Sequence, residues 1–298
     1  MADSEKPALG AWTAVLAFIA LLFGQLIIGA GAQQRNIVVG LWVTEALAIA
    51  LPAVIVLRGA GVRFGPYVGL RGATPKQFLI ATVASALNQP VVSFLTWAVR
   101  EVFPESLVSS FDAKQRMLDA IFRAHAWPMT ITVIIAAPLG EELFFRGFAF
   151  PALSRSMGVL GGILVSGVLF SLLHMDPVGF VGLMEIGIFL AALRHWTGSI
   201  WPAVVGHAVN NGIAGIAFML GYEDPDIPPP PWLLAVGAVL LIVAFVLFLR
   251  VVRQPSPAPP REEPADERER GFRMARVWGL AGLWGASLIG GFLLLLRR

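Results

Sequence analysis

The chain contains no cysteine. No disulfide can brace it, no thiol can act as its nucleophile, and no thiolate-ligated metal centre can form. Charge is scarce as well. Asp, Glu, Lys and Arg make up 14% of 298 residues, against about 25% in a soluble domain. The formal net charge is only +3, too small a basic footprint to argue for a nucleic-acid partner. Hydrophobic residues reach 57%, and they are gathered into long runs. The leading segment Met1 to Pro7 passes into the first run without a short h-region and an A-x-A site. That run is therefore expected to be a retained helix and not a cleaved signal.

Nine apolar runs, at about 11–32, 37–57, 77–97, 128–150, 158–174, 180–194, 200–220, 232–250 and 275–296, approach the roughly 20 residues that cross a bilayer as a helix. The expected fold is all-α: a polytopic transmembrane helical bundle in an integral, multi-pass membrane protein whose first partner is the lipid bilayer. Residues 1–252 form the helical domain, 253–273 a proline-rich charged linker (QPSPAPPREEPADERERG at its centre), and 274–298 a C-terminal transmembrane helix. With the N-terminus inside, 14 Lys and Arg fall on the inner side and 7 on the outer, so the positive-inside rule favours that orientation. The acidic, proline-rich EDPDIPPPP loop then lies outside.

An ionisable side chain at membrane depth is costly unless partnered, so each one marks a functional candidate. The fourth run contains Glu141, Glu142 and Arg146 in APLGEELFFRG, the fifth ends on His174 in FSLLH, and the seventh holds His207 and Asn211 in GHAVNNG. Residues four apart share a helix face. Glu142 can thus pair with Arg146, and His207 and Asn211 can look into one cavity. Neighbouring Glu141 and Glu142 differ by about 100° around the axis, which leaves Glu141 free to face the histidines. A carboxylate in a water-poor pocket suits general acid or base work near neutral pH. Glu45 and Glu185 sit in spans without a local partner and read as packing groups or as supports behind the site; His125 and His195, beside Trp127 and Trp196, read as interfacial. Counted at 1.5 Å per residue, Glu141 and His207 fall about 14 and 10 Å from the inner ends of their spans, and His174 about 24 Å.

These three motifs resemble the CPBP family of intramembrane proteases, also called the Abi or type II CAAX prenyl endopeptidase family. Its pattern of E-E-x-x-x-R, F-x-x-x-H and H-x-x-x-N is matched in order by Glu141-Glu142-Leu-Phe-Phe-Arg146, Phe170-Ser-Leu-Leu-His174 and His207-Ala-Val-Asn-Asn211. The resemblance centres on residues 128–220. It implies an eight-helix core, to which the ninth helix is an addition, and an endopeptidase acting on membrane-associated peptides or proteins. It further implies that Glu141 activates the attacking water, that His174 positions it, and that His207 and Asn211 stabilise the oxyanion. Glu142 and Arg146 then support the site. A bacterial inner membrane is the expected location.

Zinc is an open alternative, because Glu141, His174 and His207 could offer three ligands and leave a fourth position for water. No H-E-x-x-H frame is present, which favours a metal-independent glutamate mechanism. Every Asp lies in a loop or tail, and the Leu164-Val165-Ser166-Gly167 stretch fails G-x-S-G, so aspartyl and rhomboid-like serine chemistry are excluded. Two other readings remain. One is a transporter or proton relay, which would favour repeated halves with broken helices. The other is a catalytically silent immunity or partner-binding scaffold.

Overall fold

A computed structural model describes residues 9–221, 229–254 and 267–296, with the side chains of 267–273 set aside. The centre of the charged linker and most of the acidic EDPDIPPPP loop lie outside the described residues, as do Met1 to Pro7 and the terminal arginine pair. Among the described residues every regular element is helical. In chain order they are α1 (Ala11–Gln33), α2 (Ile37–Ala60), α3 (Phe64–Val68), α4 (Pro75–Val102), α5 (Glu105–Ala124), α6 (Ala126–Leu173), α7 (Phe180–Thr197), α8 (Trp201–Leu220), α9 (Pro231–Val252) and α10 (Glu267–Leu296).

Eight of these are long and apolar enough to cross a membrane. The expected nine runs map onto eight because α6 carries two of them, 128–150 and 158–174, without an intervening loop. It bends sharply at Met157 and Gly158, where the backbone leaves helical geometry and Gly158 takes φ +75°. A left-handed φ is open to glycine at little cost, so this residue lets the chain fold back. Gly162 then packs directly against Ser154. α5 is an element that hydropathy overlooked. Its apolar residues recur at helical spacing among charges, so it reads as an amphipathic surface helix and not as a span.

One end of the bundle gathers most of the basic loops. The amide of Ala11 donates to Ser156 Oγ, Arg71 donates to Thr197 O, Ser199 Oγ donates to Arg71 O, and the Ile200 amide donates to Gly69 O. Arg155 lies over the Tyr67 ring, and His195 Nε2 meets Gln254 O at 3.1 Å. The starts of α1 and α8 thus share this end with the α3–α4 loop, the α6 bend and the ends of α7 and α9. His195 is 2% exposed, so it is a buried packing residue and not an interfacial one. α5 belongs to the opposite end, where Phe122 stacks on Phe218 of α8 with centroids 5.2 Å apart.

Small residues set how closely the helices approach. A Cβ on Gly187 of α7 would stand 2.7 Å from Gly167 Cα of α6, so the two backbones are nearly in contact. In lipid, such close packing replaces the hydrophobic force that drives helices together in water. α9 and α10 are docked in the same manner, Gly237 against the Pro90 carbonyl of α4 and Gly291 against Gly31 of α1. Among the described residues four π-helical stretches interrupt the α geometry, at Gln25–Gly29, Thr44–Ala50, Thr132–Ala136 and Leu143–Ala149. Each re-aims side chains relative to a uniform helix, and such bulges cluster at functional sites.

Candidate active site

The first motif lies in α6 where α geometry gives way to the last π-helical stretch, which contains Arg146. Glu142 and Arg146 are both fully buried, and Nη1 of Arg146 donates to Glu142 Oε1 at 2.8 Å. The i, i+4 pair expected from spacing is therefore formed. Nη2 of Arg146 donates to the Gly187 carbonyl at 2.8 Å. The glycine pairing of α6 with α7 brings that carbonyl within reach. A buried cation in hydrocarbon needs this degree of satisfaction to persist.

His207 of α8 is 2% exposed, and its Nδ1 meets the same Glu142 Oε1 at 3.0 Å. This departs from the expectation that Glu141 faces the histidines, since the carboxylate holding His207 is Glu142. Spacing within α6 fixes only the angle between Glu141 and Glu142; which of the two meets His207 depends on how α6 is rotated against α8, and that is a matter of tertiary packing. With Nδ1 committed to a carboxylate, contact with a substrate falls to Nε2.

Glu141 is 6% exposed, and its Oε2 has no hydrogen-bond partner. Beside it is Glu45 of α2, also buried and also with an unpartnered Oε2. The two carboxyls are near enough to interact electrostatically. Gly140 makes room for this: a Cβ there would lie 2.6 Å from Glu45 Oε2 and 3.0 Å from the Glu45 carbonyl. The sequence suggests packing or a supporting role at the site for Glu45, and its place beside Glu141 agrees with the second. The signal that could have found it is a glutamate at membrane depth with nothing local to neutralise it.

Phe170 joins the motifs. It is 1% exposed; its ring lies 5.1 Å from that of His174 and 5.5 Å from that of His207, and Arg146 stacks over it. Spacing alone had given the motif phenylalanine no role. His174 caps the end of α6, where its Nδ1 lies 3.0 Å from Phe170 O. A carbonyl can only accept, so Nδ1 carries a proton, and in the neutral ring Nε2 then presents a lone pair. The depth mismatch between Glu141 and His174 also disappears. Because Gly162 packs on Ser154, depth is counted from that level in both halves of α6. Glu141 and His174 then both lie about 18–20 Å away.

Asn211 shares α8 with His207, but its Nδ2 donates to Val133 O at 2.9 Å. It is also joined to a chain of amides, Gln89 to Asn210 to Asn211. Glu185 accepts from Asn88 at 2.7 Å, which supplies the partner its own helix lacks. Among the described residues no three His, Asp or Glu side chains are gathered to hold a metal ion. Glu141, His174 and His207 thus do not form a zinc ligand set in this arrangement.

No curated protein and no solved structure matches the chain. Residues 123–213 match the family described as Type II CAAX prenyl endopeptidase Rce1-like. That stretch holds Glu141, Glu142, Arg146, Phe170, His174, His207 and Asn211, whereas Glu45, Asn88 and Gln89 lie outside it. Across those residues the chain is similar to the Rce1-like type II CAAX prenyl endopeptidase family, and its apolar helices make it an integral, multi-pass membrane protein.

Proposed function

We propose that this protein is an intramembrane endopeptidase that hydrolyses peptide bonds of membrane-associated substrates with water activated by Glu141. The observation that carries this reading is the contrast between the two adjacent carboxylates. Oε1 of Glu142 is committed to Arg146 and His207, whereas among the described residues no hydrogen bond or ion pair engages Glu141, although each of the two carboxyls keeps a buried Oε2 without a partner. A carboxylate held ready but unoccupied is what a general base requires.

In the proposed reaction Glu141 takes a proton from water as the water oxygen bonds to the substrate carbonyl carbon. His174 orients that water through the lone pair on Nε2. Asn211 and, when its ring is doubly protonated beside Glu142, Nε2–H of His207 donate to the oxyanion, and stabilisation of this kind is strongest where water is excluded. The C–N bond then breaks, and the proton held by Glu141 passes to the leaving amine. Glu142 and Arg146 keep His207 and the α6–α7 contact in register. The basic end of the bundle faces the cytoplasm in this reading, at a bacterial inner membrane.

The test is cleavage by the full chain in proteoliposomes, with membrane substrates identified by comparing membrane proteomes of cells carrying wild type or Glu141→Gln. Glu141→Gln should fold normally and lose about 10²–10⁴-fold in rate. Undiminished cleavage by the folded variant would overturn the assignment. Transport without cleavage, or binding without either, would favour the relay or the scaffold.

A further inference from the structure

We propose that Lys114 and Asp176 are positioning residues for His174, and that through them the surface helix α5 holds the turn on which this histidine sits. The catalytic consequence rests on the protease reading above; the positioning itself does not.

The turn after α6 is one that needs holding. His174 ends the helix, and the next residue, Met175, has φ +48°. A side chain bearing a Cβ occupies that left-handed region only at a cost, so the surroundings must impose it. Three restraints act within the turn or from α1. The Gly179 amide donates to Asp176 Oδ1 at 2.9 Å, Ser171 Oγ donates to Phe180 O at 2.7 Å, and Gln25 Nε2 donates to Leu173 O at 3.3 Å. The fourth comes from outside: Lys114 Nζ of α5 reaches Asp176 Oδ2 at 3.0 Å.

α5 can act as a fixed support because it is fastened on both sides of Lys114. Arg100 at the end of α4 makes two bonds to Asp112, at 2.6 and 2.9 Å, and Phe122 is stacked on Phe218 of α8. The third fastening lands two residues from His174. The bland alternative is a surface ion pair of no consequence, the usual case when both partners are solvated. Here the Asp176 side chain is only 8% exposed and both of its oxygens are used. Without Lys114, one oxygen of an enclosed carboxylate is left unmet, and the turn relaxes around it.

The experiment uses the full chain in lipid nanodiscs, with Lys114→Gln, Lys114→Arg, Asp176→Asn and the double variant Lys114→Gln/Asp176→Asn. Asp176→Asn retains an oxygen for the Gly179 amide while removing the ion pair, so it separates the cap from the latch. Carbethoxylation of each histidine by diethyl pyrocarbonate is followed by mass spectrometry. His195 and His207, both buried, report whether the bundle itself has opened. His174 should react several-fold faster in Lys114→Gln and Asp176→Asn, at the wild-type rate in Lys114→Arg, and no faster in the double variant than in either single one. Where a substrate is cleaved, kcat should fall about ten- to a hundredfold with KM little changed, the signature of a misplaced group. Unaltered His174 reactivity in Lys114→Gln and Asp176→Asn, with His195 and His207 still protected, would overturn the proposal. Should Lys114→Gln open the bundle, Asp176→Asn alone decides in the same way. Faster labelling in a protein that cleaves nothing would leave the latch standing and sink the protease reading. Unchanged labelling in a protein silenced by Glu141→Gln would do the reverse.

Discussion

The guanidinium carbon of Arg146 lies 4.6 Å from the centre of the Phe170 ring, and this stacking joins the first motif to the second. The same arginine pairs with Glu142, which in turn holds His207 of the third motif. A cation with no water contact is stable here because a carboxylate, a backbone carbonyl and an aromatic face surround it.

Removing one member of this group should expose that dependence. Glu142→Gln and Arg146→Gln should each lower stability by about 3–5 kcal/mol, because each strands a buried charge. The double variant should lose less than the sum of the two. Glu142→Gln should also slow cleavage per folded molecule more than Arg146→Gln does, since only Glu142 touches His207. Thermal unfolding in detergent and single-turnover assays read the two effects. Wild-type stability in both single variants would show that the pair is dispensable.

Gly140→Ala should damage both fold and activity. Its Cβ would press on the carboxyl and the backbone of Glu45, and overpacking of this kind costs about 1–3 kcal/mol. Gly59→Ala is the matched control, because a Cβ there meets nothing within 4 Å. Equal melting temperatures for the two variants would mean that α2 is not pressed against α6.

Single cysteines can be placed in this cysteine-free chain without background. Gly72→Cys and Gln254→Cys should be labelled by an impermeant reagent from the cytoplasmic side, and Ser106→Cys in α5 from the other. All three positions are exposed. Labelling of Gly72→Cys and Gln254→Cys from opposite sides would contradict the placement of the basic loops and the α9 end together.

α10 meets the bundle along one stripe, Gly291 against Gly31 with Trp284 and Leu288 packed on the core, and turns most of its surface outward. Truncation after Pro255 should therefore leave the motif core folded and cleaving, and Gly291→Leu should resemble the truncation. Loss of cleavage in a well-expressed truncation would assign α10 a part in the site.

The class of fold and the identity of the central residues were legible in the sequence for one reason. Hydrocarbon tolerates so few charges that the exceptions stand out, and Glu141, Glu142, Arg146, His174, His207 and Asn211 are such exceptions. The Glu142–Arg146 bond was legible too, because it depends only on helical spacing. The partnerships between helices were not. Which carboxylate meets His207, how Glu45 reaches Glu141, and how His174 comes level with them are decided by how α6 is seated against α8 and α2, by the bend at Gly158 and by glycine contacts between helices. α5 escaped because it is long enough but too polar to resemble a span, and its place against the His174 turn depends on Lys114 meeting Asp176, 62 positions away in the chain. Local periodicity governs what a residue can be within its own helix. The close approach of backbones, set by where a Cβ is missing, governs which residue it meets on the next.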